Sequence, residues 1–142
     1  MARNMRKVYV GWFGIISAAI VVQFYLAGYG VFGFSGLNGF GPHFFVGDLI
    51  GIAILIGIGL AFAARVPWRI TGINGALFVL MVIQVVLAHA PVQGISALHV
   101  VNGIVIFGGT VYLTREAWKL MLLDRTGATT AEPVAAGAAV KS

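Results

Sequence analysis

Four long apolar runs separated by short joints leave this chain few ways to fold. The runs are Val8 to Phe34, His43 to Ala64, Ile70 to Ala90 and Ala97 to Trp118. Each supplies the about 20 mostly apolar residues that cross a hydrocarbon core. Of the 142 residues 60% are hydrophobic and 9% charged, and the mean hydropathy is +1.00. That composition leaves too little polar surface for a water-soluble domain of this length. The expected fold is an all-α membrane protein with transmembrane helices over about 8–34, 43–64, 70–90 and 97–123.

The joints are short: Arg65 to Arg69, Pro91 to Ser96, and a Gly-rich stretch from Ser35 to Pro42. Short connections favour antiparallel neighbours, hence an up-down-up-down four-helix bundle built from two tandem helix pairs. All nine Lys and Arg residues fall on one side: Arg3, Arg6 and Lys7, then Arg65 and Arg69, then Arg115, Lys119, Arg125 and Lys141. The positive-inside rule makes that side cytoplasmic and puts both termini inside a bacterial cytoplasmic membrane. Trp12, Trp68 and Trp118 lie near the same boundary, as interfacial anchors. The basic start MARNMRK has the flank of a secretory signal, but the run behind it outlasts the about 7–15 residues of a signal core and is expected to be retained. The bundle should occupy residues 1–125, its last helix ending in the amphipathic, basic REAWKLMLLDR at the headgroups. A disordered cytoplasmic tail is expected over 126–142. The net charge of +5 then reflects topology and gives no reason to invoke nucleic acid. The absence of cysteine excludes disulfides, thiolate metal sites and iron–sulfur ligation, leaving histidine as the obvious ligand.

An internal repeat relates the two helix pairs. VVQFYLAG in the first helix aligns with VIQVVLAH in the third, pairing Gln23 with Gln84, and the second helix aligns with the fourth, pairing His43 with His99 and Gly47 with Gly103. The offset is 61 residues for the glutamines and 56 for the histidines, so the second outer loop is five residues shorter. Both copies start inside, which implies a two-fold axis along the membrane normal.

The matched histidines open the second and fourth helices, and His89 closes the third on the same outer side. A lone interfacial imidazole at a helix end costs little, but two related by a two-fold are what a bis-histidine haem requires. With neighbouring axes about 8–10 Å apart, diagonal helices lie roughly 13 Å apart, a gap that two inward imidazoles with metal bonds of about 2 Å can close. Gly47 and Gly103, one turn deeper, serve either helix packing or clearance for a flat macrocycle. Asp48, the sole acidic residue within a span apart from Glu116 at the inner end of the fourth, is either a satisfied interfacial carboxylate, a partner orienting His89 or His99, or part of a proton path. Gln23, Gln84 and Asn102 either bond between helices or face a porphyrin edge, and Asn74 is expected to bond helices together. Phe24, Tyr25, Tyr29, Phe32, Phe34, Phe40, Phe44 and Phe45 form either an interfacial belt or the wall of a haem or quinone pocket.

QxxLA followed by an outer loop and a helix-opening His resembles one four-helix half of the haem A synthase family. VIQVVLAHAPVQGISALHVVNGI carries most of the likeness, with QFYLAG and HFFVGD as the first copy. The whole chain also resembles a family of uncharacterised small four-helix bacterial membrane proteins. The haem A synthase likeness implies axial histidines for a b-type haem near the extracytoplasmic side. It does not carry over the oxygenation chemistry, because the family has two such halves and an acidic catalytic residue beside its substrate haem. No Lys or Arg stands on the outer side to meet haem propionates, which would be protonated or be met by His89, Ser35, Asn38, Tyr29 and backbone amides.

The expectation is a small membrane cytochrome holding haem b between His43 and His99, with His89, Gln23, Gln84, Gly47, Gly103 and Asp48 around it. It would serve as a non-enzymatic electron-transfer or accessory subunit of a respiratory or quinol-linked complex, as an oligomer or hetero-complex. A cofactor-free structural subunit is the alternative, and an outward zinc site of His43, His89, His99 and Asp48 a third.

Overall fold

The computed structural model describes residues 2–32 and 39–126, and expectations placed on Phe34, Ser35, Asn38 and the tail beyond 126 lie outside the described residues. Among the described residues four helices account for the regular structure: α1 Ala2–Val31, α2 Gly41–Ala63, α3 Trp68–Ala88 and α4 Gln93–Thr126. The helices α1 and α4 run several residues past their apolar windows, α4 through the basic stretch that ends near Arg125. Lys119 there pairs with Glu116 at 2.6 Å, an exposed bond worth little by itself.

Local chemistry explains the ends. Pro42 sits in the first turn of α2, where a missing N–H costs nothing. At the other end Arg65 adopts φ 50, Val66 N donates to Ala61 O at 3.2 Å and Arg65 N to Phe62 O at 3.1 Å. These two bonds form a Schellman closure with an arginine in the left-handed position usually given to glycine. Pro67 then precedes the first residue of α3. Arg6 of α1 reaches this joint, donating through Nε to Ala64 O at 3.3 Å and through Nη2 to Arg65 O at 3.4 Å.

Each helix packs on its sequence neighbours and α1 closes the square against α4, so α1 faces α3, and α2 faces α4, across the diagonals. The protein is an antiparallel four-helix transmembrane bundle. Tyr9, Phe13, Ile54 and Leu113 are fully buried at its centre, with Ile16, Ile20, Ile50, Leu77 and Ile106 beside them. Between 17% and 22% of each span is buried within the chain. Ile15, Val21, Leu55, Val86 and Ile104 are among the large apolar side chains that point outward, and such a surface needs lipid around it.

Two polar contacts in the interior go beyond the sequence expectations. Trp12, expected as an interfacial anchor, is partly buried and its Nε1 donates to Ala53 O in α2 at 2.9 Å. Asn74 of α3 meets the Tyr9 hydroxyl of α1 across the bundle, and among the described residues neither group has a hydrogen bond of ordinary length. Gly57 makes room for this packing, because a Cβ there would stand 2.7 Å from Phe13 and 3.2 Å from Asn74 Nδ2.

Candidate functional site

The polar residues of the outer half converge on the α2–α4 diagonal. His43 is the third residue of α2 and His99 the seventh of α4. Their rings face one another with centroids 5.9 Å apart and planes inclined by 59°. His43 is buried and His99 half-buried. Phe40 and Phe44 flank the His43 ring edge-on, with centroids at 6.1 and 5.9 Å.

Each histidine is held by the glutamine of the preceding helix, in the same way on both sides of the repeat. His43 Nδ1 lies 3.2 Å from Gln23 O, and His99 Nδ1 lies 3.1 Å from Gln84 O. A carbonyl can only accept, so each Nδ1 carries the proton and each Nε2 keeps its lone pair. This is the tautomer that second-shell carbonyls impose on metal-ligating histidines. Backbone, and not Asp48, therefore orients the imidazoles.

The glutamine side chains then differ. Gln84 Nε2 donates to His99 Nε2 at 3.2 Å, and Asn102 Nδ2 donates to Gln84 Oε1 at 2.6 Å and to Leu80 O at 2.9 Å. Gln23 Nε2 donates instead to His43 O at 2.6 Å, while Gln23 Oε1 is buried with no donor among the described residues. The position matching Asn102 in the first copy is Val46, which has nothing to donate.

Glycine at the matched positions 47 and 103 leaves room for these amides. A Cβ on Gly47 would lie 2.9 Å from Gln23 Nε2, and one on Gly103 would lie 3.3 Å from Gln84 Nε2. The packing explanation for the two glycines thus acquires a definite partner. Gly51, the second glycine of the GxxxG, stands in ordinary contact with Met81.

A cavity of about 270 Å³ lies among these groups, and residues of all four helices line it, including both histidines, both glutamines, both glycines, Phe24 and Phe44. Asp48 and His89 also line it, and both are exposed. His89 Nδ1 donates to Val85 O at 2.8 Å, and its ring stacks on Phe44 with centroids 6.1 Å apart and planes 26° apart. Tyr25, Phe32 and Phe45 point outward, as belt residues do. Among the described residues no group of three or more His, Asp or Glu side chains is placed to hold a metal ion. The expected zinc site of His43, His89, His99 and Asp48 is therefore not formed: His89 is turned onto Phe44 and Val85.

The model of DUF6220, a family of unknown function, matches residues 23–91. The matched segment opens at Gln23 and takes in His43, Gly47, Asp48, Gln84 and His89, stopping short of His99. No curated protein and no solved structure matches the chain. The likeness to a haem A synthase half finds no counterpart in these comparisons.

Proposed function

We propose that this chain is a small b-type membrane cytochrome, holding one haem between His43 and His99 at the end of the bundle opposite its basic residues. The observation that carries the reading is the pair of diagonal imidazoles, 5.9 Å between centroids, with both Nδ1 protons committed to glutamine carbonyls. Two metal–nitrogen bonds of about 2 Å would place ring centroids roughly 6 Å apart. The donor chemistry fits: both Nε2 lone pairs are free of protons, and the one on His99 is engaged only by a neutral amide, a bond worth about 1 kcal/mol net. Gly47 and Gly103 keep the helix surfaces one turn below the rings free of a Cβ, so that movement of the two glutamine amides widens the cavity. A haem with two imidazole ligands supplies one-electron transfer without an open iron position, which makes an electron-transfer subunit the fitting role and oxygen activation a poor one.

The positive-inside rule puts the basic end in the cytoplasm of a bacterial cell and the histidines at the extracytoplasmic side. The optical spectrum of protein purified after haem-replete expression tests the reading: a Soret band is expected, and its loss in a His43→Ala, His99→Ala double variant. A colourless wild type, or a band that survives in the double variant, rejects it. One observation favours the other reading, a cofactor-free accessory subunit: the Asn102–Gln84–His99 chain is complete without a ligand. Copurification of a larger assembly that tolerates alanine at both histidines would support that role.

A further inference from the structure

We propose that the rim of the cavity between α2 and α3 is a docking site for the headgroup of a membrane-borne hydroquinone, received by Asp48, His89 and Phe44. The proposal rests on the cytochrome reading in naming the partner of the same cavity: a buried electron-transfer site reached through lipid takes a lipid-soluble carrier.

Three features of the rim define the ligand. First, Phe44, Asp48 and His89 are exposed although they line the cavity, so a molecule dissolved in the bilayer can reach them from the side. Second, the polar groups available are acceptors. His89 Nδ1 donates to Val85 O, which leaves Nε2 with its lone pair. Among the described residues Asp48 has neither a hydrogen bond nor an ion pair, and a carboxylate in a membrane span is a functional candidate by default. Deeper in, Gln23 Oε1 is a buried acceptor without a donor. A ligand that satisfies them must bring O–H or N–H groups. Third, the surfaces between these acceptors are aromatic and apolar: Phe44 one helical turn before Asp48 and stacked on His89, then Ile20, Phe24, Ile50 and Met81 within. A flat ring is the shape that slides against such faces. A lipid-soluble molecule with a flat ring and hydroxyl donors is a hydroquinone. A quaternary ammonium ligand has no O–H or N–H to offer these acceptors, and a plain acyl chain would likewise leave them unpaired.

Equilibrium binding of decyl-hydroquinone to the full chain in nanodiscs, measured against empty nanodiscs, tests the assignment. Saturable binding is expected, weakened about tenfold in Asp48→Asn, as the loss of one charge-assisted hydrogen bond implies, and similarly in Phe44→Ala. Leu49→Ala, an exposed α2 neighbour outside the cavity lining, should bind as wild type does. The dimethyl ether of the same compound keeps ring and tail but has no donors, and should lose the saturable component. Binding no greater than in empty nanodiscs, equal binding of the ether, or an Asp48→Asn variant indistinguishable from wild type would overturn the proposal. Saturable binding by a colourless protein would uphold this site while rejecting the cytochrome reading, and a Soret band without saturable binding would do the reverse.

Discussion

The two halves of the bundle place the same three residues in the same geometry and finish the job differently. In α1–α2 and in α3–α4 alike, a glutamine carbonyl takes the Nδ1 proton of a histidine and a glycine clears the glutamine amide. In the second half Asn102 completes the amide and the chain of bonds closes on His99 Nε2. In the first half Val46 stands where that asparagine would be, Gln23 Oε1 has no donor, and the amide turns to a backbone carbonyl. What the halves share sets the imidazole tautomers, whereas what they do not share decides which Nε2 is covered. His43 presents the uncovered lone pair, and the acceptor beside it is the unfilled one.

The glycines give the largest expected effect. Gly47→Ala puts a methyl group 2.9 Å from an amide nitrogen already pinned at 2.6 Å to His43 O, and should cost about 1–2 kcal/mol. Gly103→Ala has 3.3 Å, needs a shift of only a few tenths of an ångström, and should cost less than half as much. Unfolding of the two variants in the same detergent compares them, and equal costs would break the account of what the glycines do. Next, Asn102→Val makes the second half resemble the first. It leaves Gln84 Oε1 without its 2.6 Å donor, with an expected loss of about 1 kcal/mol in the same assay. The converse, Val46→Asn, supplies the missing donor to Gln23 and should gain about 0.5 kcal/mol; a loss would mean that the first half is not open in the way described. The smallest effect belongs to the joint between the halves. Arg65→Gly relieves a left-handed residue and should raise stability by about 0.5 kcal/mol, since the strain of about 1 kcal/mol is partly offset by glycine's greater chain entropy.

Much of this is legible in the amino-acid sequence. Apolar run lengths set four helices, short joints set their antiparallel order, and order alone makes α2 and α4 diagonal. The matched Gln, His and Gly positions coincide when one half is aligned on the other, and the same alignment displays the Val46–Asn102 mismatch. What it hides is which atoms meet. A helix carbonyl is the same in every residue, so nothing in the letters says that Gln23 O and Gln84 O orient the rings while the carboxylate of Asp48 does not. Trp12 reads as interfacial from its distance to the basic terminus, yet it bonds to Ala53 because α2 passes close at that depth. Asn74 reads as a helix tie because an amide in a membrane wants a partner, and only the packing around Gly57 and Phe13 reveals that the group it meets is the Tyr9 hydroxyl of α1.

The central claim is that His43 and His99 grip one iron together. Electron paramagnetic resonance of the oxidised protein tests it most directly, in wild type and in the single variants His43→Ala and His99→Ala. The account predicts the low-spin signal of an iron with two imidazole ligands in wild type, converted to a high-spin signal or lost in either variant. An oxidised wild type without a haem iron signal, or a low-spin signal unchanged in both single variants, would contradict it.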